Sequence, residues 1–243
     1  YIVVGTNGHG IFVSVNGGNT WTSSNSGLGS LYIYSLLYYG NNLFAGTASG
    51  VYLSTDNGIN WIAKSSWLKV SGVNSLAIKN GALFASGNNG GVYYSQNDGN
   101  SWQSISSGLL NKFTNILIPY GNDIFVGTNE GIYFLKNNDY TWIRKSYGLT
   151  GLNINSLLLF NKQLFAATGD GGINTSRDLG ETWKASNIGI ADTYVRSLAS
   201  DGRNLYVGSI NGGVYSITDG GNECSVISIN LTDNDIKAIA EKV

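Results

Sequence analysis

The stretch Asp56-Asn57-Gly58-Ile59-Asn60-Trp61 recurs along the chain in six related copies, and we call each copy a box. Five boxes end in a tryptophan, and these tryptophans are 40 or 41 residues apart: Trp21, Trp61, Trp102, Trp142 and Trp183. The sixth box ends in Cys224. The first residue of a box is always Asp or Asn: Asn16, Asp56, Asn97, Asn137, Asp178 and Asp219. A fixed period of this length indicates a chain built from repeats.

Each repeat has the pattern of four short β-strands. In the second repeat, runs rich in Leu, Val, Ile, Tyr and Phe cover residues 33–38, 43–47 and 51–54, and a fourth run begins near Trp61. Gly, Asn, Asp and Ser separate these runs, which is typical of antiparallel strands joined by tight turns. Four strands in about 40 residues form one blade of a β-propeller.

The two ends of the chain extend this prediction. Residues 1–5 match the second strand of a repeat, and residues 236–243 match the first strand of one. In a ring these two runs can share one blade, so that no sheet is left incomplete. The sequence therefore predicts an all-β protein in which residues 1–243 form a single six-bladed β-propeller of four-stranded antiparallel blades. We expect the ring to be closed by pairing of the C-terminal strand with the N-terminal strands.

The composition argues against several kinds of function. With 14 basic and 15 acidic residues the net charge is −1, so a general electrostatic grip on nucleic acid is not expected. The longest apolar runs, such as residues 157–160, are too short for a membrane-spanning helix. A single cysteine and a single histidine leave no basis for a zinc site, and no metal or cofactor is predicted.

The box, together with a serine two residues before it, resembles the Asp-box (BNR-type) repeat, Ser-x-Asp-x-Gly-x-Thr-Trp. That serine is present in four copies, as Ser14, Ser54, Ser95 and Ser176. Asp-box repeats occur in the propellers of sialidases, sortilin-type receptors, xyloglucan-cleaving glycosidases and photosystem II assembly factors. The resemblance implies that each box forms the hairpin between the third and fourth strands, on the face opposite the usual active site. It also implies that the Asp or Asn and the Trp of a box are structural.

A ligand would then be expected at the other end of the blades. One residue near the start of each first strand forms a polar set there: Tyr34, Asn74, Asn115, Asn155, Arg196 and Lys237. Arg196 and Lys237 are neighbours in this set and could hold a carboxylate. The alternative is that these residues simply face water.

Two further candidates fall at the same end of the blades. Glu130 and Asp170 hold equivalent places in neighbouring turns and could act as acid and base in glycoside cleavage, if their carboxyl groups lie about 5–10 Å apart. Variable polar turn tips are the alternative. Trp67 is the only tryptophan outside the boxes, so it is a candidate for an exposed aromatic contact. Packing over the neighbouring loop is the alternative for Trp67.

Taken together, these patterns favour a non-catalytic binding or assembly module of an exported protein, with a protein or a glycan as its ligand. One alternative is a glycoside hydrolase that uses Glu130 and Asp170. Another is a structural unit of a larger surface protein or filament. The high content of Asn, Gly, Ser and Tyr resembles exported bacterial Asp-box proteins, so we expect an extracellular, cell-surface or periplasmic location.

Overall fold

The computed structural model describes residues 1–187, 189–218, 223–228, 231 and 236, and the regular structure in these ranges is entirely β-strand. The strands form six antiparallel sheets, one for each repeat, which we number as blades 1 to 6 in chain order. Blades 1 to 3 contain β1 (Ile2–Gly5), β2 (Ile11–Ser14), β3 (Thr22–Ser23), β4 (Ile33–Tyr39), β5 (Asn42–Thr47), β6 (Gly50–Ser54), β7 (Ile62–Ala63), β8 (Val73–Lys79), β9 (Ala82–Gly87), β10 (Gly91–Ser95) and β11 (Gln103–Ser104). Blades 4 to 6 contain β12 (Thr114–Tyr120), β13 (Asp123–Thr128), β14 (Gly131–Leu135), β15 (Ile143–Arg144), β16 (Ile154–Phe160), β17 (Gln163–Thr168), β18 (Gly172–Ser176), β19 (Lys184–Ala185), β20 (Val195–Ser200), β21 (Leu205–Ser209), β22 (Val214–Thr218) and β23 (Glu223–Val226).

Blades 2 to 6 each contain four strands in sequence order, and blade 1 contains three described strands. The predicted all-β fold, with one antiparallel blade for each repeat, is confirmed. The expected closing strand, residues 236–243, lies outside the described residues except for Ile236.

Ile236 lies against blade 6 in the way that Ile33 lies against blade 1. The amide of Ile236 donates to the carbonyl oxygen of Ser209 at 2.9 Å, and the amide of Ile33 donates to the carbonyl oxygen of Thr6 at 2.9 Å. A Cβ atom added to Gly208 would meet the Ile236 side chain, just as one added to Gly5 would meet Ile33. Ile236 therefore has the position expected for the first residue of a first strand.

Contacts divide the chain into two compact units, residues 1–124 with 135–142 and residues 125–134 with 143–243. In each unit the apolar core lies between neighbouring blades. In the first unit, one buried cluster joins blades 1 and 2 and a second joins blades 2 and 3: Ile11, Ile33, Leu43, Tyr52 and Trp61, and Phe44, Val51, Leu76, Tyr93 and Trp102. In the second unit, a cluster that includes Phe165, Ile173, Val195 and Tyr215 joins blades 5 and 6.

The box hairpins are held by a repeated set of hydrogen bonds. In blade 2 the Ser54 hydroxyl donates to Asp56 at 2.8 Å and accepts from the amide of Gly58 at 2.7 Å. The amide of Asn60 donates to the Asp56 carboxylate at 2.9 Å. The same three bonds recur in the boxes that begin at Asn16, Asn97 and Asp178. The serine and the Asp or Asn thus satisfy amide groups of the turn, which would otherwise be left without partners.

Each of the buried box tryptophans ties its blade to the blade before it. The indole Nε1–H of Trp61 donates to the carbonyl oxygen of Ser24 at 3.0 Å, and that of Trp183 donates to the carbonyl oxygen of Lys145 at 2.8 Å. Trp102 and Trp142 make the same bond to Lys64 and Ile105. Trp21 differs, because its side chain is 42% exposed.

Every blade has two distinct edges, which we name by their connections. The box edge carries the box hairpins and the turns between first and second strands, such as the turn after Tyr39. The loop edge carries the turns between second and third strands, such as the turn between Thr47 and Gly50, and the loops that lead to the next blade. The sequence-predicted ligand residues that the structure describes belong to the loop edge.

Candidate functional site

The polar set near the start of the first strands is placed by β-bulges. In four blades the pairing of first and second strands shifts by one residue, and the residue skipped in each case belongs to this set: Tyr34, Asn74, Asn155 and Arg196. A bulge leaves its extra residue outside the ladder and turns the side chain away from its regular direction. The bulge therefore explains why a polar residue is tolerated between apolar neighbours. The bulges themselves were not predicted from the sequence pattern.

Two members of the set connect neighbouring blades. The Asn74 amide donates to the carbonyl oxygen of Thr114 at 3.0 Å, and the Asn155 amide donates to the carbonyl oxygen of Val195 at 2.8 Å. Thr114 and Val195 are the first residues of the next first strands, so the two bonds are equivalent. The side chains of Asn74 and Asn155 are therefore already engaged within the protein.

Of the two basic residues in this set, the structure describes only Arg196. The Arg196 guanidinium lies over the Tyr194 ring, 5.6 Å from its centroid. Lys237, its predicted neighbour, lies outside the described residues. Asn115 is half-buried, and Tyr34 is exposed. The expected anion site at Arg196 and Lys237 stays a prediction.

Glu130 and Asp170 lie in equivalent turns on blades 4 and 5. Glu130 follows the second strand β13, and its amide donates to the Thr128 hydroxyl at 3.0 Å. In the turn that contains Asp170, the amide of Gly171 donates to the Thr168 hydroxyl at 2.9 Å. Both turns are thus fixed through a threonine at the end of the second strand, and both carboxyl side chains are exposed. These features suit polar turn tips as well as they suit a catalytic pair.

Trp67 lies where the other loops between blades have glycine. Gly27, Gly108 and Gly148 have positive φ at the same place, and a Cβ atom on any of them would come within 2.4 Å of the backbone oxygen of the next box tryptophan. Trp67 also has a positive φ, of 72°, and its side chain is 77% exposed. A bulky residue in this region of φ is an outlier that costs of order 1–3 kcal/mol.

The side chain of Trp67 changes the contact between its loop and the next box tryptophan, Trp102. The box tryptophans Trp61, Trp142 and Trp183 donate their backbone amides to the preceding loop, for example from Trp61 to Ser26 at 2.9 Å. Among the described residues, the amide of Trp102 makes no such bond to the loop that carries Trp67. The Cβ atom of Trp67 accounts for this difference, since the close approach made at the glycines leaves no room for it. The loop therefore presents Trp67 to solvent.

Further apolar side chains on the loop edge are exposed in the same unit, and the sequence reading did not single them out. They belong to the loops that lead into blades 2 and 4: Leu31, Tyr32, Leu110 and Phe113. In the sequence they share one feature. Each is an apolar residue that lies between the loop glycine, Gly27 or Gly108, and the start of the next first strand. These side chains add exposed apolar area to the loop edge.

In the described ranges, no helix is long and apolar enough to cross a membrane.

Solved structures share this fold at low sequence identity. The extracellular domain of a putative one-component system from B. thetaiotaomicron matches with a TM-score of 0.78 and 20% identity, over 96% of this chain and 33% of its own length. An ancestral GH74 enzyme matches with a TM-score of 0.72 and 18% identity, over 90% of this chain and 35% of its own. YCF48, solved with a D1 peptide bound, matches with a TM-score of 0.70 and 18% identity, over 91% of this chain and 75% of its own.

The first two of these proteins are much longer than this chain, which spans about a third of each. No protein-family model matches the chain, and no curated protein matches its sequence. The likeness is therefore one of architecture: six antiparallel blades, one for each repeat, give this chain the β-propeller fold.

Proposed function

We propose that this chain is a non-catalytic binding module of the Asp-box propeller type, belonging to an exported protein, and that it binds a protein partner at the loop edge around Trp67. The observation that carries the proposal is Trp67 itself, which combines 77% exposure with a positive φ. Four equivalent loops avoid this strain by using glycine: Gly27, Gly108, Gly148 and Gly189. Strain of this kind is concentrated at functional sites, where it is part of the mechanism.

The chemistry of Trp67 and of other exposed side chains at the loop edge supports a protein partner. Tryptophan is enriched among the few residues that carry most of the binding energy in protein interfaces. Leu110 and Phe113 add exposed apolar area on a loop of the same unit, and Lys69 adds a charge two residues after Trp67. One propeller with this fold, YCF48, was solved with a peptide bound.

Selection of peptides tests this proposal directly. Binders would be selected from a phage-displayed library of random peptides, and the Kd of the best synthetic peptide would be measured by isothermal titration calorimetry. We expect Trp67→Ala to weaken binding by at least about tenfold, or roughly 1.4 kcal/mol. The control is Tyr140→Ala, which removes an exposed aromatic ring from the box edge and should leave the Kd unchanged. An unchanged Kd in Trp67→Ala would contradict the proposal.

The same protein preparation can test the hydrolase alternative. Purified protein would be incubated with a panel of plant and bacterial glycans, and the release of reducing ends would be followed. We expect none. Release that disappears in the variant Glu130→Ala/Asp170→Ala would make the chain a glycoside hydrolase and would overturn the non-catalytic assignment.

A further inference from the structure

A second feature lies at the box edge of blades 3 and 4 and starts from one unusual lysine. The last residue of the first strand is aromatic in blades 2, 4 and 5, as Tyr39, Tyr120 and Phe160. In blade 3 the same position holds Lys79, which is only 7% exposed. Buried lysines are rare unless a partner compensates their charge, so a lysine in place of an aromatic residue is unusual here.

The box of blade 4 departs from the repeat beside that lysine. In regular boxes the third residue is a glycine with positive φ, such as Gly58 at 84° and Gly99 at 80°. Blade 4 has Asp139 there, and Asp139 does not adopt a positive φ. The turn is therefore built differently. The amide of Asn137, the first residue of this box, donates to the carboxylate of Asp123 at 2.7 Å.

The irregular turn leaves a cavity of about 160 Å³ between the two blades. Its lining includes Lys79, Asn80, Tyr94, Asn137, Asp139 and Tyr140. The amide of Asn80 donates to the side-chain oxygen of Asn137 at 3.0 Å across the cavity wall. Tyr140 is 71% exposed, so its ring stands at the entrance. Two departures from the repeat, Lys79 and Asp139, thus meet in one place although 60 residues of chain separate them.

The Lys79 ammonium group has unused donors. Its Nζ atom lies 5.8 Å from the centroid of the Phe84 ring, and it donates no hydrogen bond to any residue within the described ranges. Burial lowers the pKa of Lys79, and the charges of Asp123 and Asp139 act in the opposite direction. The cavity therefore contains a lysine whose side chain is largely buried and whose ammonium group donates to no described residue, together with carboxylate and amide groups that can accept.

We propose that this cavity binds one neutral saccharide unit, a function separate from the partner site around Trp67. Each hydroxyl group of a sugar can both donate and accept, which matches a wall that offers the Lys79 ammonium, the Asp139 carboxylate and the Asn137 amide. The apolar face of a sugar ring can pack on the Tyr140 ring. A volume well below the roughly 300–1,000 Å³ of sites for drug-sized ligands restricts the ligand to about one ring.

Charge decides between neutral and acidic sugars. Lys79 contributes one positive charge, while Asp123 and Asp139 contribute two negative charges close to it. An acidic sugar would meet the excess negative charge, and like charges at short range disfavour binding. A neutral sugar meets no such repulsion.

Saturation-transfer NMR with simple methyl glycosides tests the proposal. The probes are the methyl glycosides of glucose, galactose, mannose, N-acetylglucosamine and glucuronic acid, each titrated to about 20 mM because a single sugar is expected to bind with a Kd near the millimolar range. We expect saturation transfer to at least one neutral glycoside and none to the glucuronide. The variants Lys79→Met and Tyr140→Ala should each weaken binding at least about tenfold.

Two matched controls separate this site from the rest of the chain. Lys64→Met removes a lysine that bonds Asn100 at the box edge one blade earlier, and it should leave the affinity unchanged. Trp67→Ala removes the proposed partner contact and should also have no effect on sugar binding. Tyr140 is exposed, so Tyr140→Ala stays informative even if Lys79→Met fails to fold.

Three results would overturn the proposal. The first is no transfer to any neutral glycoside at the highest concentration. The second is affinity that is retained in Tyr140→Ala and in folded Lys79→Met. The third is binding of the glucuronide alone, which would show that the charge argument is wrong. None of these results would bear on the peptide site around Trp67, whose test depends on a different variant.

Discussion

The aspartates of two boxes have an unusually stable carboxylate form although Asp56 is only partly buried and Asp178 is exposed. Hydrogen bonds from the backbone and side chain of Asn60, and then from Ser54, hold the pKa of Asp56 at about 2. Hydrogen bonds from the side chain and backbone of Thr182 do the same for Asp178, whose pKa is also about 2. Both values lie below the ordinary aspartate pKa of about 3.9.

This difference predicts a dependence of stability on acid. Because the folded-state pKa is depressed, the two carboxylates contribute stability fully above about pH 4 and lose it as the pH falls towards 2. The boxes of blades 1 and 3 have Asn16 and Asn97 at the same place, where a neutral oxygen accepts the equivalent amide bonds at 2.9 and 3.0 Å. Asp56→Asn/Asp178→Asn should therefore lose less stability between pH 4 and pH 2 than the unmodified chain.

Urea unfolding at several pH values between about 5 and 2 would measure this effect. The unmodified chain should show the steeper fall in the urea midpoint below pH 4. Parallel curves for the two proteins would mean that the hydrogen bonds to Asp56 and Asp178 do not favour the charged form.

Individual box residues were predictable from the sequence because their role depends on local geometry. The spacing of Ser54, Asp56 and Gly58 is enough to place a hydroxyl, a carboxylate and an amide around one turn. The conformation of Trp67 was not predictable in the same way. Its positive φ follows from the path of a loop whose other copies use glycine, and the sequence shows only that a tryptophan stands there.

At the scale of the elements, neighbouring blades are joined through the box tryptophans. Trp102 is buried between blades 2 and 3, and its Nε1–H donates to the carbonyl oxygen of Lys64. We expect Trp102→Ala to lower the free energy of unfolding by roughly 3–5 kcal/mol, since it removes a large buried side chain and leaves a cavity. Urea unfolding followed by circular dichroism would give the value.

Trp67→Ala is the matched control for that change. It removes the same side chain from the same pair of blades, but from an exposed loop, and should alter the free energy of unfolding by no more than about 0.5 kcal/mol. A loss below about 1 kcal/mol in Trp102→Ala would contradict a packing role for the box tryptophans.

The strands themselves followed from the alternation of apolar runs and turn residues, and the second repeat illustrates this. Its predicted runs 33–38, 43–47 and 51–54 correspond to β4, β5 and β6 within one residue at each end. The bulges in the first strands and the cavity beside Lys79 could not be predicted. A bulge depends on pairing with a particular partner strand, and the cavity depends on side chains that are distant in sequence and come together only in the folded blades.

At the scale of the whole molecule, the sequence predicts a ring that is closed by residues 236–243. Ile236 supports this register, because its amide donates to Ser209 as that of Ile33 donates to Thr6. The strand that would follow Ile236 lies outside the described residues, so closure itself is a matter for experiment.

Deletion of residues 237–243 tests closure. If this run pairs with the N-terminal strands, its loss leaves a sheet edge open and lowers the melting temperature by about 4–8 °C, which corresponds to roughly 2 kcal/mol in a chain of this size. Removal of residues 241–243 alone is the control and should have a clearly smaller effect, because it keeps the apolar residues Ala238, Ile239 and Ala240. Differential scanning calorimetry would compare the three proteins. Equal melting temperatures for the full chain and the longer deletion would show that the C-terminal run contributes no strand to the fold.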